Sequence, residues 1–289
     1  MRMNGAVLGV LVLGLVLAGG TAYAQGKPTS STKQFKYKSG RVDPGMLYTY
    51  LRSDLAGTKT GSVLVYVPDR KRIEILRVSP GVEGGQLFTG EMNWDTYTLR
   101  QFELWSEGKD GGKKRLATGT FSGEALAMTV EDAALYRGAA GATSFTVPLV
   151  QLPSHIYSLD FVTLGIALRH FADPRGSVDI GVLAENLKVG PGSPDFLVSA
   201  GKAKVAFVEE VDRDGIPCMK YRITGPALGP EEGLLWLHKE KGYIQDAEIP
   251  VASSPDWPDV KLTLRSAEKL AEGDWPRRRA SEIGAGAPK

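Results

Sequence analysis

A mainly β fold of the α+β kind, with a curved antiparallel sheet or half-barrel wrapped around one buried helix, is the class this sequence predicts. Three observations predict it. Short alternating or β-branched segments recur along most of the chain. Turn-forming clusters separate them: Ala56-Gly57, Pro68-Asp69, Pro80-Gly81 and Lys109–Gly112. One stretch, Ser158–Ala172, switches to helical spacing and is apolar on two faces, which is how a helix enclosed by other elements reads.

In chain order, residues 1–24 come first. Arg2 gives a positive start, Ala6–Ala18 is an apolar run, and Ala22-Tyr23-Ala24 is a small-x-small ending. That is the layout of a signal peptide, cleaved after Ala24 and implying a periplasmic or secreted protein. The apolar run falls short of the roughly 20 residues that a spanning helix needs, and no stable membrane anchor is expected. Residues 25–45 are rich in Lys, Ser, Thr and Gly and read as a flexible leading segment.

Order is expected over residues 46–272, as one β-rich domain or as two sheets, 46–150 and 154–272. The first group of strands is Met46–Leu55, Gly61–Pro68, Lys71–Ser79, Asp95–Trp105, Arg115–Thr120, Glu124–Glu131 and Thr143–Val147. Gly61–Pro68 and Lys71–Val78 form a tight hairpin around Asp69-Arg70. The helix follows. Ser158 is placed to cap it, Asp160 favours its positive end, and Pro174 stops it. Phe161, Leu164, Leu168 and Phe171 form one apolar stripe, and Leu159, Val162 and Ile166 a second.

The second group of strands is Gly176–Leu187, Phe196–Ser199, Lys202–Val211, Pro217–Thr224, Gly233–His238, Tyr243–Val251 and Asp259–Ser266. In the last, Val260, Leu262 and Leu264 alternate with Lys261, Thr263 and Arg265, one face wet and one buried. Asp212–Gly215 and Lys239–Gly242 are hairpin turns. Residues 273–289 read as a disordered tail, and Trp275 before Pro276 reads as exposed, either a surface anchor or folded back on the sheet. Trp257, between Pro255 and Pro258, reads the same two ways.

The second half resembles a known group. The buried helix at Tyr157–Phe171 is followed by Gly215-Ile216-Pro217, the Leu235-Trp236-Leu237 strand, Gly242-Tyr243-Ile244 and a closing Lys261-Leu262-Thr263-Leu264 strand. This order, over Ser154–Ser266, resembles exported bacterial proteins of unknown function with a half-barrel sheet, similar in architecture to the lipoprotein-localisation carriers. The resemblance implies a sheet folded over a helix, with room for an apolar cavity. It carries over no catalytic residue, and fold alone does not fix function.

Composition narrows the choices further. The 35 Lys and Arg nearly balance 33 Asp and Glu, and no basic face with interleaved aromatics emerges, so a nucleic-acid partner is not expected. The single cysteine, Cys218, allows no internal disulfide and reads as a small buried hydrophobe. His155, His170 and His238 fall in no metal-ligand spacing, so no metal and no cofactor is expected. No nucleophile elbow or Ser-x-x-Lys motif is present. His155, Ser158 and Asp160 approach a hydrolytic cluster, but capping accounts for the last two. Adjacent carboxylates at Glu209-Glu210, Glu231-Glu232 and Glu131-Asp132 face opposite ways on a strand and make no acid/base pair.

Aromatics are the remaining lead. A pocket lined by Trp94, Trp105, Phe161, Leu164, Leu168 and Trp236 would suit an apolar guest. The sequence thus favours a non-enzymatic protein that binds a lipid or a hydrophobic peptide segment. An interaction scaffold with an envelope protein as partner is the first alternative. A hydrolase with an unrecognised site near His155 or His238 is the second.

Overall fold

A computed structural model describes residues 27–79, 81–132, 143–159, 161–185, 197–249 and 259–286. The expected signal peptide, Asp160 and the Trp257 loop lie outside the described residues.

The strands of the first half are β1 (Thr29–Ser30), β2 (Met46–Ser53), β3 (Thr60–Val67), β4 (Arg72–Val78), β5 (Gly85–Asn93), β6 (Thr98–Glu107), β7 (Lys113–Phe121), β8 (Ala125–Val130) and β9 (Thr143–Pro148). Two short strands, β10 (Gln151–Leu152) and β11 (Ser154–Ile156), lead into helix α1 (Val162–Leu168). Strands β12 (Ser177–Glu185), β13 (Leu197–Arg213), β14 (Ile216–Thr224), β15 (Gly233–His238), β16 (Ile244–Ile249) and β17 (Val260–Lys269) follow, then helix α2 (Asp274–Ala285).

Fifteen of these strands form one sheet in the order β11-β12-β13-β14-β15-β16-β17-β2-β3-β4-β5-β6-β7-β8-β9. All neighbours are antiparallel except β11 and β12. The two halves are one sheet because β17 pairs with β2, Leu264 opposite Tyr50 and Leu262 opposite Arg52. The sheet is open and curved. Its edge strands, β9 and β11, are only a few residues apart in the chain, and the Ser154 amide donates to Thr98 Oγ1 on β6 at 2.8 Å. The β11 edge is therefore folded over the concave face.

Turn chemistry sets the hairpins. Asp69 Oδ1 accepts the Lys71 and Arg72 amides, both at 2.8 Å, and closes the β3–β4 turn. Between β13 and β14, Asp214 and Gly215 have φ of 54° and 81°. Both central residues of a two-residue primed turn need that sign.

Most of the core lies on the concave side, where α1 is buried along its whole length. Gly165 brings α1 onto β16: a Cβ there would stand 2.7 Å from the Ile244 side chain. The helix is shorter than Ser158–Ala172. Tyr157–Leu159 forms a 3-10 turn, and Phe161, with φ of 52°, stands at the helix start without a side-chain cap. The residue at the start of α1 is thus Phe161, three residues after the expected one. At the other end Phe171 bridges to Phe35, which pulls the chain out of helical conformation.

That bridge also corrects the leading segment. The Lys36 amide donates to the His170 carbonyl and the Ala172 amide to the Gln34 carbonyl, Thr29–Ser30 pairs with Gln151–Leu152, and Phe35 is buried. Its polar composition hid two anchoring aromatics, Phe35 and Tyr37.

The tail is corrected as well. From Gly273 onward a disordered segment is expected, but α2 forms there. Trp275, Arg279 and Ile283, four residues apart, bury one stripe against Leu47, Leu64, Leu76, Val78 and Leu87 on the outer face. Trp275 Nε1 donates to Glu74 at 2.6 Å, and Arg279 Nε donates to Glu107 at 2.9 Å with both side chains buried. Arg277, Arg278 and Arg279 follow one another, and the third pins the helix.

Candidate functional site

Helix α1 has seven residues and so reaches only about 10 Å. The concave face extends further. Past the helix start a cavity of about 170 Å³ remains, lined by Ile75, Phe88, Phe102, Leu104, Met128, Ile156, Leu159 and Leu197, with Arg77, Gln86 and Glu185 as polar members. Gln86 is exposed, so the cavity opens to solvent there.

Its wall follows from strand alternation. Ile75 and Arg77 face the cavity, while Leu76 and Val78, alternating with them, face α2. On β5, Gln86 and Phe88 face in and Leu87 faces out. Phe88 and Phe102 stack with ring centroids 5.3 Å apart. Gly119, opposite Phe102 in the next strand, lets that ring lie flat: a Cβ at Gly119 would stand 2.3 Å from it. An enclosed apolar cavity of about 150 Å³ admits a benzene-sized guest. This one is of that order, with a polar rim.

The residues expected at a ligand site are dispersed. Phe161, Leu164 and Leu168 are buried in the inner core beside the cavity and do not line it. Trp105 packs on the outer cluster, with the Arg115 guanidinium 5.8 Å from its ring. Trp236 faces outward between Leu235 and Leu237, covered by Arg213 at 4.3 Å. Trp94 lies at the opposite end of the trough, where Nε1 donates to the Arg70 carbonyl and its edge meets His170 at 4.7 Å. Register explains the misplacement: a one-residue step along a strand changes face, and sequence alone does not assign faces. Phe88, Phe102 and Met128 were the missed liners. The alternation of Phe102 with Leu104 was the signal for that wall.

The histidines are held as packing groups. His155 is buried, with Nδ1 3.1 Å from Thr163 Oγ1, and burial takes its pKa down to about 3. His170 Nδ1 accepts the Lys38 amide at 3.1 Å; burial, then Arg169, Lys38 and Arg41, take its pKa down to about 4. His238 Nδ1 accepts the Glu240 and Lys241 amides in its hairpin turn. Cys218 is buried, which pushes its thiol up to about 11. Among the described residues no three His, Cys, Asp or Glu gather in a metal-binding arrangement. Among them, too, no helix is long and apolar enough to cross a membrane.

No protein family matches the chain, and no curated protein does. Solved structures do match. One is an exported protein with a YmcC-like fold from Bacteroides fragilis, at 14% identity, covering 82% of this chain and 100% of that one, with a TM-score of 0.22. Another is an outer membrane lipoprotein-sorting protein domain from Vibrio parahaemolyticus, at 11% identity, covering 83% and 93%, with a TM-score of 0.21. These are the two kinds of protein that the second half of the sequence resembles. At such scores function has to come from this chain's own residues.

Proposed function

We propose that this is an extracytoplasmic binding protein that takes a slender apolar chain, such as part of a lipid tail, into the cavity beside α1. The observation that carries the reading is the cavity itself: a largely apolar space of about 170 Å³ at the edge of the inner core, open to solvent at Gln86. Close packing is the rule in protein interiors, so a retained apolar space of this size asks for an occupant. The rim fits an amphiphile, because Arg77, Gln86 and Glu185 meet a polar end while Phe88, Phe102 and Met128 meet the chain. Export agrees with the leader, and lipid tails are insoluble cargo in an aqueous compartment.

The test is uptake of a fluorescent polyene fatty acid by the purified mature chain. Saturable uptake with one site per chain, lost in Met128→Trp, is expected. No saturable uptake by a correctly folded protein overturns the proposal.

A further inference from the structure

The other end of the trough presents different chemistry. Arg169 follows α1 directly and its side chain is more than nine-tenths buried. A buried guanidinium normally has a carboxylate partner, since an unpaired buried charge is strongly unfavourable. Among the described residues Arg169 has no ion-pair partner. Its Nη1 has two long contacts, both 3.4 Å, to the Arg41 carbonyl and to Tyr48 Oη. Its Nε has no hydrogen-bond partner at all. The guanidinium lies 5.2 Å from the Tyr48 ring centre.

That side chain lines a small cavity of about 10 Å³, with Ile166, Val42, Met92 and Trp94 as apolar wall and the 69–72 turn as its roof. The turn brings Arg70, Lys71 and Arg72. Its one acid, Asp69, is already engaged by the Lys71 and Arg72 amides and by Arg72 Nε at 2.5 Å. Of the neighbouring cations, Lys38 Nζ donates to the Phe171 carbonyl and Arg41 Nη1 to the Glu240 carbonyl, which leaves the turn's cations and Arg169 to face the cavity. The cavity admits one oxygen-sized atom.

We infer that this end is an oxyanion site: one oxygen of a carboxylate or phosphate reaches Arg169 Nε, and the remainder of the anion lies outward against Arg70 and Lys71. It shares no lining residue with the apolar cavity, so it stands or falls separately. Burial first, and neighbouring cations after it, lower the pKa of Lys38 and of His170.

The chemistry has two sources, a free anion and an anionic lipid headgroup. The experiment uses the whole mature chain at constant ionic strength. Inorganic phosphate and acetate are titrated in turn, then phosphatidylglycerol vesicles against phosphatidylcholine vesicles. Thermal midpoint and the Arg169 Nε–Hε resonance are followed. Ligand binding to the folded state alone raises the midpoint with concentration.

A rise with phosphate or acetate, together with a shifted Arg169 resonance, supports a free-anion site. A resonance shift with phosphatidylglycerol vesicles alone supports a headgroup site. Arg169→Met is expected to abolish either response, while Lys71→Ala, on an exposed turn, weakens it several-fold and leaves the fold intact. If neither anion nor phosphatidylglycerol moves the resonance of the wild-type chain beyond the chloride control, the inference is overturned. The same holds if Arg169→Met responds as the wild type does.

Discussion

Strands β2–β5 are apolar on both faces, and each face is covered by a helix. On the outer face α2 fits its patch completely: Trp275, Arg279 and Ile283 close over Leu47, Leu64, Leu76, Val78 and Leu87. On the inner face α1 is seven residues long and stops short of the β4–β6 end, where the cavity begins. The same strands thus carry a filled interface and an unfilled one. A helix that serves stability covers its patch to the end, and the one that stops early leaves space for something else.

The largest expected effect is on the filled side. Trp275→Ala should lower stability by about 3–5 kcal/mol, as loss of a large buried aromatic does, and leave fatty-acid uptake unchanged. Denaturant unfolding and probe titration on the same variant check both halves. A small stability loss with lost uptake would reverse the roles given to the two faces.

Next comes the buried pair under α2. Arg279→Met removes the close, buried partner of Glu107, leaving only Lys113 at 4.0 Å, and should cost about 3 kcal/mol. Adding Glu107→Leu should recover most of that loss, since paired removal of buried charge is often near neutral. Urea midpoints of the single and double variants decide it. If the double variant is no better than the single, Glu107 is not the group that Arg279 neutralises.

On the unfilled side, Gly119→Ala drives a methyl toward the Phe102 ring. Overpacking of this kind costs about 1–3 kcal/mol. Phe102 lines the cavity, so affinity for the fatty-acid probe should fall with stability. Equal affinity in the variant would show that Phe102 does not bound the binding space.

The smallest effect separates the faces by acid. His155 and His170 belong to the inner side, and the α2 patch holds no histidine among its described residues. Both histidines have folded pKa values near 3 and 4, below the ordinary 6.5. At pH 7 they are neutral in both states and nothing is lost. As pH falls below 6.5 the unfolded chain takes up protons that the fold refuses, so stability declines, by up to about 1.4 kcal/mol per pH unit for each histidine, until their folded pKa values are reached. Thermal midpoints from pH 7 to pH 4 should drop, and less steeply in His155→Gln. A flat profile would contradict the buried neutral state of both rings.

Much of this architecture was legible in the sequence, and the exceptions have physical causes. Alternation and turn chemistry marked most of the long strands, β5 (Gly85–Asn93) excepted, and the Asp69-Arg70 and Asp212–Gly215 hairpins, and two-faced apolarity marked the buried helix. The sheet around the helix followed from those. What failed was tertiary. Phe35 and Trp275 sit in polar surroundings, and only distant partners, Phe171 and Glu74, give them order. For the site, residue type was informative and face was not. Aromatics were expected to line it, yet Trp105 and Trp236 point outward while Phe88 and Phe102 line the wall. The unpaired state of Arg169 left no mark in the sequence, because it depends on what does not fold next to it.

The central claim is that the inner space holds an apolar chain. Crystals of the mature protein grown with a terminally brominated fatty acid test it most directly. The account predicts anomalous density for bromine among Ile75, Phe102, Met128 and Leu197. A clear structure with that space empty, or with bromine seated elsewhere on the protein, would contradict it.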